Sequence, residues 1–493
     1  MDTTVTNPPF TSVPKVLKEA DKEARHLGDT IDPDAARRLR RKIDVHVFPI
    51  LFVVYFFSSL DRINIGNARI QGLTEDLDLH GNRYNIALLV FFIPYILLEV
   101  PSNMIIKKVR PSLYLSSLMF GWGIMNMSMG FVRTYAQLVV LRILLGIMEA
   151  GFLPGIIYLT SMYYKRHEFQ FRMSLFFTSI VISGAVGGLL AYAIAELDGH
   201  YNIRAWRWIF IIEGTATAGV SLIAVFLIVD WPSQCRFLNN EEKALLGRIL
   251  ADDGVAEARM DTLNKQAYKL IFGDWKIWLA AILYMGAGVM GYTLVFFMPT
   301  ILVEFGWQAR QAQVHTIPVY AVTAVVMVLL AWLSDRCKHR YGFIMLCCIL
   351  STIGCVLLLR QDSLSREVKY GALFVAAIGG LTSPPTAIAW LANNMSGHWK
   401  RAFSAGIQIM VGNIMAIVAS YIFLEREAPR YLTGYTTALV FIWIGGFAAT
   451  AMFIGMWIEN RKREAGDRDY LLQLPLEEVQ NLGDHHPSFR YTL

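Results

Sequence analysis

Two apolar stretches of this 493-residue chain carry ionisable residues where charge is expensive. The run YFFSSLDR (55–62) ends on Asp61 and Arg62, and LVVLRILLGIMEAGFLPG (138–155) contains Arg142 and Glu149. A charge near the centre of a bilayer costs about 2.5 to 3.5 kcal/mol on insertion scales, so such residues are functional candidates by default. Arg142 and Glu149 are seven apart, which on an α-helix is a rotation of about 700° and a rise of about 10.5 Å, so they share one face. Arginine is a fixed cation suited to bidentate contact with a carboxylate, whereas a partly desolvated Asp or Glu can exchange a proton near neutral pH. Two arginines and two acids are the minimum set for carrying an organic anion together with protons. Pro154, between Gly151 and Gly155, is expected to loosen the helix just past Glu149 and help turn that carboxylate into a cavity.

The elements holding these residues follow from composition. The chain is 55% hydrophobic and 17% charged, with a mean hydropathy of +0.42. Soluble domains carry nearer a quarter charged residues, and about 20 apolar residues span a bilayer, so an all-α membrane protein with on the order of a dozen spans is expected. Apolar stretches lie near 44–66, 84–106, 112–131, 135–163, 172–196 and 207–229, and again near 276–303, 312–334, 341–359, 370–395, 402–424 and 433–459. The expected organisation is a polar leading segment (1–43), a six-helix bundle (44–229), a charged, helical, water-facing linker (230–275), a second six-helix bundle (276–460) and a polar tail (461–493). The leading segment is polar and charged and is not expected to carry a cleavable signal, so the first span is expected to direct insertion.

Basic clusters fall at alternate ends of the spans: Arg37–Lys42, then Lys107 with Lys108 and Arg110, Lys165 with Arg166, Arg336 with Lys338 and Arg340, Lys400 with Arg401, and Arg461–Arg463. The positive-inside rule then puts both termini in the cytosol, as an even number of spans requires. The clusters recur at similar offsets in the two halves, the pattern of bundles related by an axis along the membrane normal. The net charge of +6 is better explained by this topology than by nucleic acid, which is not expected as a partner. The five cysteines show no C-x-x-C spacing and are expected to be reduced and metal-free.

Other residues in or near the spans suggest pairing or lining roles. Glu99 and Glu213 are expected to make structural or gating pairs, and His46 and His315 to sit at the membrane interface. Tyr95, Tyr292 and Trp390 lie inside spans beside proline or small residues and are candidates for lining a cavity. The turn AWLSDRCKHR (331–340) places Asp335 before Arg336 and Arg340, so an Asp–Arg latch between helices is possible there. GAGVMG (286–291) spells a dinucleotide-binding pattern, but it lies in mid-span without a strand, so its glycines are expected to serve close packing, as are Gly184 and Gly188. No Walker A, H-E-x-x-H or G-x-S-x-G sequence is present, and enzyme activity is not expected.

LDRINIGNARIQGL (60–73), LRILLGIMEAGFLPG (141–155), WRWIFIIEG (206–214), DWP (230–232) and HPSFRYTL (486–493) together resemble the major facilitator superfamily. More specifically, they resemble its fungal anion:cation symporter branch of allantoate and nicotinate permease-like proteins. The loop signature of that superfamily is matched by Leu333, Asp335, Arg336 and Arg340, whereas the first-half equivalent, EVPSNMIIKKVR, lacks the Asp and leaves Glu99 as its substitute. The resemblance implies that Asp61 and Glu149 take up protons and that Arg62 and Arg142 bind substrate or couple it. It also implies that Tyr95, Asn413, Gln408 and Asn393 contact substrate.

The expected function is import of a small organic carboxylate, such as nicotinate, allantoate or pantothenate, by alternating access. The proton gradient would drive it, with no cofactor, in a monomer spanning a fungal plasma membrane. Export of an acidic secondary metabolite, and a non-transporting nutrient receptor signalling through its tail, are the alternatives.

Overall fold

Asp32 starts the first helix: its side chain accepts the Asp34 N–H at 3.0 Å, and Pro33 occupies the first turn, where no backbone donor is needed. The computed structural model describes residues 32–106, 108–164, 166–252, 265–337, 339–396, 398–475, 479 and 482–493. Lys107, Lys165 and Lys338 of the basic clusters, Asp253 and Arg259 of the linker, and residues 1–31 lie outside the described residues.

The protein is all-helical. The first half comprises α1 (Pro33–Ala68), α2 (Arg83–Ile106), α3 (Pro111–Met129), α4 (Tyr135–Glu149), α5 (Phe152–Ser161), α6 (Arg166–Ile194) and α7 (Ala205–Leu227). The linker contains α8 (Asn240–Asp252) and α9 (Lys265–Phe272). The second half comprises α10 (Trp275–Glu304), α11 (Ala309–Cys337), α12 (Tyr341–Leu359), α13 (Arg366–Asn394), α14 (His398–Gly412), α15 (Ile414–Ile422) and α16 (Leu432–Glu464). Among the described residues, ten helical segments are long and apolar enough to cross a membrane, with α4–α5 and α14–α15 each counted as one. Helices α2 and α3 supply two further rods, consistent with the expected twelve.

The first helix begins eleven residues earlier than its apolar stretch, because RRLRRK is rich in helix formers and turns Leu39 and Ile43 inward while its arginines face out. The fourth span is split at Gly151, whose φ of +77° is the left-handed conformation that glycine tolerates. A Cβ there would lie 2.1 Å from Ser102 Oγ on α2. Pro154 falls within the first turn of α5, where its missing N–H costs nothing. The loosening expected after Glu149 is therefore a clean break, which leaves Glu149 as the last residue of α4.

The two halves are clasped at the face away from the linker and tail. Gln71 donates to Gln313 at 3.0 Å, Gly81 N–H to Glu425 at 2.6 Å, and Asn85 to the Ser420 and Phe423 carbonyls at 2.7 and 3.1 Å. Arg310 pairs with Glu196 at the same face. Helices α6 and α11 meet closely there, since a Cβ on Gly188 would be 2.4 Å from Thr316 Oγ1 and 2.8 Å from the Gln313 carbonyl. The glycines of GAGVMG are packing residues too: a Cβ on Gly286 would be 2.4 Å from the Phe441 carbonyl, and one on Gly288 would overlap Met415. On the opposite face, here called the tail face, Lys42 of α1 pairs with Glu242 of α8 at 2.8 Å.

Replacing Gly188 with leucine is expected to force α6 from α11 and open the far face. In a cysteine-free background carrying Ser59→Cys, an impermeant maleimide applied from that face should react several-fold faster; an unchanged rate would show that the clasp does not need this approach.

Candidate functional site

Helix α1 sends neighbouring side chains to different places, because consecutive helical residues point about 100° apart. Arg62 faces a cleft between the halves, while Asp61 faces the interior of the first half. The Arg62 guanidinium donates from Nε to Glu149 Oε1 at 2.7 Å, and its Nη2 lies 2.6 Å from the same oxygen. Ser58, one turn earlier on α1, donates to Glu149 Oε1 at 2.6 Å. The remaining guanidinium donors reach the Tyr95 hydroxyl at 3.3 Å and the Tyr292 hydroxyl at 3.5 Å, and the Tyr95 ring lies 5.1 Å from the guanidinium carbon. Tyr292 belongs to the second half, so a single cation joins α1, α2, α4 and α10.

The cleft encloses about 700 Å³, counting its open mouth. Tyr55 and Ser59 line it from α1, Phe177 from α6, Tyr284 and Tyr292 from α10, Met327 from α11, Pro384 and Pro385 from α13, and Met415 from α15. Arg62 is the one charged side chain among the described lining residues. A cavity of this size, mostly apolar and with one oriented cation, suits a small anion with an apolar body.

Asp61 is 2% exposed and accepts hydrogen bonds from Asn126 at 2.6 Å, Thr217 at 2.9 Å and the Trp122 indole at 3.2 Å. It thus ties α1 to α3 and α7, away from the cleft. Glu213, one turn before Thr217 on α7, is also buried, and neither of its oxygens accepts a hydrogen bond from the described residues. Arg142 shares a face with Glu149, but it donates to the Ala87 carbonyl at 3.1 Å and stacks its guanidinium 5.0 Å from the Phe91 ring. Arg62, and not Arg142, is the arginine paired with Glu149.

Of the other expected site residues, Asn413 donates to Glu99 at 3.3 Å across the two halves, which brings a substrate candidate and a gate candidate together. Gln408 spends its amide on the Ala280 and Ala387 carbonyls at 3.3 and 3.2 Å, bracing α10 and α13. Trp390 points to the tail face and donates to the Thr492 carbonyl at 2.9 Å, and Asn393 is half-buried at the same end of α13. Arg340 binds Asp335 and, at 2.7 Å, Ser334, so that turn is latched within itself, while Arg336 lies exposed over the Trp332 ring. Ser58, Tyr55 and Tyr284 were missed from sequence. The four-residue step from Ser58 to Arg62 marks a shared helix face and was a usable signal. Asp274, Asp484 and His485 place possible metal-ligand atoms within 4.8 Å of one another, but the ammonium groups of Lys276 and Lys400 already sit among those oxygens.

A family model described as Major Facilitator Superfamily matches residues 51–420. The chain belongs to the Major Facilitator Superfamily. It is 33% identical over 476 residues to an uncharacterized transporter of Schizosaccharomyces pombe, covering 94% of this chain and 93% of that one. It is 30% identical over 456 residues to the high-affinity nicotinic acid transporter of Saccharomyces cerevisiae, covering 92% and 84%. The solved structure of a proton:xylose symporter shares the fold, with a TM-score of 0.62 at 17% identity, covering 84% of this chain and 96% of that one. As a superfamily member the chain is a multi-pass membrane transporter of small molecules and not an enzyme.

Breaking a buried ion pair on one side costs about 3 to 5 kcal/mol, while replacing both partners by apolar residues is far cheaper. Glu149→Leu alone is therefore expected to lower the thermal unfolding midpoint in detergent clearly, and Arg62→Met with Glu149→Leu to recover most of the loss. Equal destabilisation by the single and double variants would show that the pair is not energetically coupled.

Proposed function

We propose that this transporter belongs to the anion:cation symporter branch and imports a small organic carboxylate with protons across a fungal plasma membrane, its linker and tails in the cytosol. The observation that carries this reading is the Arg62–Glu149 pair at the cleft wall: the one cation among the described lining residues is held by an acid that a proton can neutralise. With Glu149 ionised, Arg62 is occupied. Protonation of Glu149 from outside releases the guanidinium, which then takes the substrate carboxylate in a bidentate contact while Tyr95 and Tyr292 hold the body of the substrate.

Asp61 is the second proton-binding carboxylate in this scheme, and its three donors link proton uptake to the packing of α1, α3 and α7. The proton gradient supplies the driving force without a cofactor. Loaded halves rock so that the far-face clasp opens and re-forms, and loss of the protons to the cytosol restores the Arg62–Glu149 pair and expels the anion. The likeness to a nicotinic acid transporter supports a monocarboxylate with an aromatic or otherwise planar body.

The test is uptake of radiolabelled monocarboxylates by cells expressing the chain, at pH 5 and pH 7.5, with and without a protonophore. Accumulation of one compound should be several-fold higher at pH 5 and collapse with the protonophore. Arg62→Ala is expected to abolish uptake, and Asp61→Asn to abolish accumulation under a proton gradient. An Asp61→Asn protein that still accumulates substrate would refute the proton-coupling role.

A further inference from the structure

Residues 482–493 lie against the tail face of the second half as a seated peptide. Asp484 closes a ring of alternating charge: Lys276 Nζ lies 2.9 Å from Asp274 and 3.1 Å from Asp484, and Lys400 Nζ lies 2.5 and 2.7 Å from the same two acids. All four side chains are at most 3% exposed. Three of them belong to the helical body: Asp274 caps α10, Lys276 is in its first turn and Lys400 is in the first turn of α14. The body thus presents two buried ammonium groups with one carboxylate, and the tail supplies the missing negative charge.

The rest of the segment is read through its backbone. Asn394 and Trp390 of α13 both bind the Thr492 carbonyl, and Asn394 Oδ1 accepts the Thr492 N–H at 2.8 Å. Asn460 of α16 brackets Tyr491 from both sides at 2.9 Å, and Arg463 donates to the Phe489 carbonyl at 2.8 Å and the Tyr491 hydroxyl at 3.1 Å. Side chains that satisfy both the N–H and the C=O of a peptide backbone are the chemistry of peptide recognition.

We propose that the tail face of the second half is a peptide-docking site whose ligand is this chain's own segment 482–493, held detachably, and that its occupancy sets the packing of the helices lining the cleft. The helices it joins are the ones that matter: α10 carries Tyr284 and Tyr292, and α13 carries Pro384 and Pro385. None of this depends on what the cleft transports.

Detachment has a pH lever. Burial would raise the Asp484 carboxyl, but the Lys400 and Lys276 ammonium groups hold it well below the usual carboxylate range. Burial pushes His485 down to about 4, against the pull of Asp484 and with Lys400, Lys276 and Asp274 facing it. A histidine with its docked value below its free value supports docking fully above about pH 6.5 and withdraws that support as pH falls from there toward 4. Its side chain is 36% exposed, so solvent screening reduces the effect.

The test starts from the folded full-length chain with a protease site introduced at residues 476–481. After cutting at pH 7.5 the segment should stay bound through gel filtration. At pH 5 it should dissociate several-fold faster, and Asp484→Lys should release it even at pH 7.5. A segment that separates at once after cutting at pH 7.5 overturns the docking site, and one still bound both at pH 5 and as Asp484→Lys overturns its detachability. With Ser59→Cys in a cysteine-free background, release by Asp484→Lys should change the rate of maleimide labelling from the tail face several-fold. An unchanged rate overturns the coupling to the cleft and leaves the dock intact.

Discussion

Charge withdrawn from water has to be neutralised locally, and this constraint organises the protein at each level. In an apolar span an unpaired ion is costly, so a buried charge is stabilised by a partner or a row of hydrogen bonds, and Glu213 is the one buried span acid among the described residues whose two oxygens have neither. Arg62 takes Glu149, Asp61 takes three donors from α3 and α7, and Arg142 takes a backbone carbonyl and an aromatic face. Each solution crosses from one helix to another, so neutralising the charges also fixes which helices pack. The solutions differ in how readily they can be exchanged. A carboxylate on an arginine can be replaced by another carboxylate, which is why the Arg62 site is the one we propose for substrate, while the Arg142 site is suited to holding α2 and α4 together.

Close helix approach is the second constraint, and it is set by residues with no side chain at all. Lipid provides little hydrophobic force between helices, so packing depends on shape and on how near backbones can come. Gly188 and Gly184 let α6 lie directly on α11 at the far face, and the GAGVMG glycines let α10 lie against α13, α15 and α16. The contacts between halves are therefore concentrated where glycine permits them, and the cleft persists where Tyr284, Tyr292, Phe177 and Met327 stand between the helices. A surface that closes by backbone fit and opens without breaking covalent geometry is suited to alternating access.

Much of this was legible in the sequence, and the reasons are physical. Apolar runs of bilayer length cannot easily be anything but spans, so the helical architecture could be read directly. The intramembrane charges were visible for the same reason, since Asp61, Arg62, Arg142 and Glu149 stand out against an apolar background. Partner choice was not legible. The seven-residue step separates Glu149 from Arg142 by about 10.5 Å along their helix, but that its partner would be Arg62 depends on how closely α1 packs against α4. Trp390 was a lining candidate by span position and Gln408 by family resemblance, but a span has several faces, and theirs point to the tail and to neighbouring helices. The Ser58–Arg62 step could have been recognised as one helix face.

The tail is the clearest case of structure decided by a partner far away in sequence. HPSFRYTL has too few apolar residues to form a core and no period that marks a helix. Its conformation comes from Asn394, Asn460 and Arg463, which read its backbone, and from two lysines that need the Asp484 carboxylate. Lys400 belongs to a basic cluster that the topology alone explained, yet its side chain is fully buried. A cation near a membrane boundary can equally be an orientation signal facing water or half of a buried pair, and only the presence of an acid within reach distinguishes the two. In the cleft the acid is within reach as well, and under the proposed mechanism it must also be able to let go. The same pairing of one cation with one carboxylate can thus serve as a fastening or as a moving part, according to whether a proton or a competing anion can reach it.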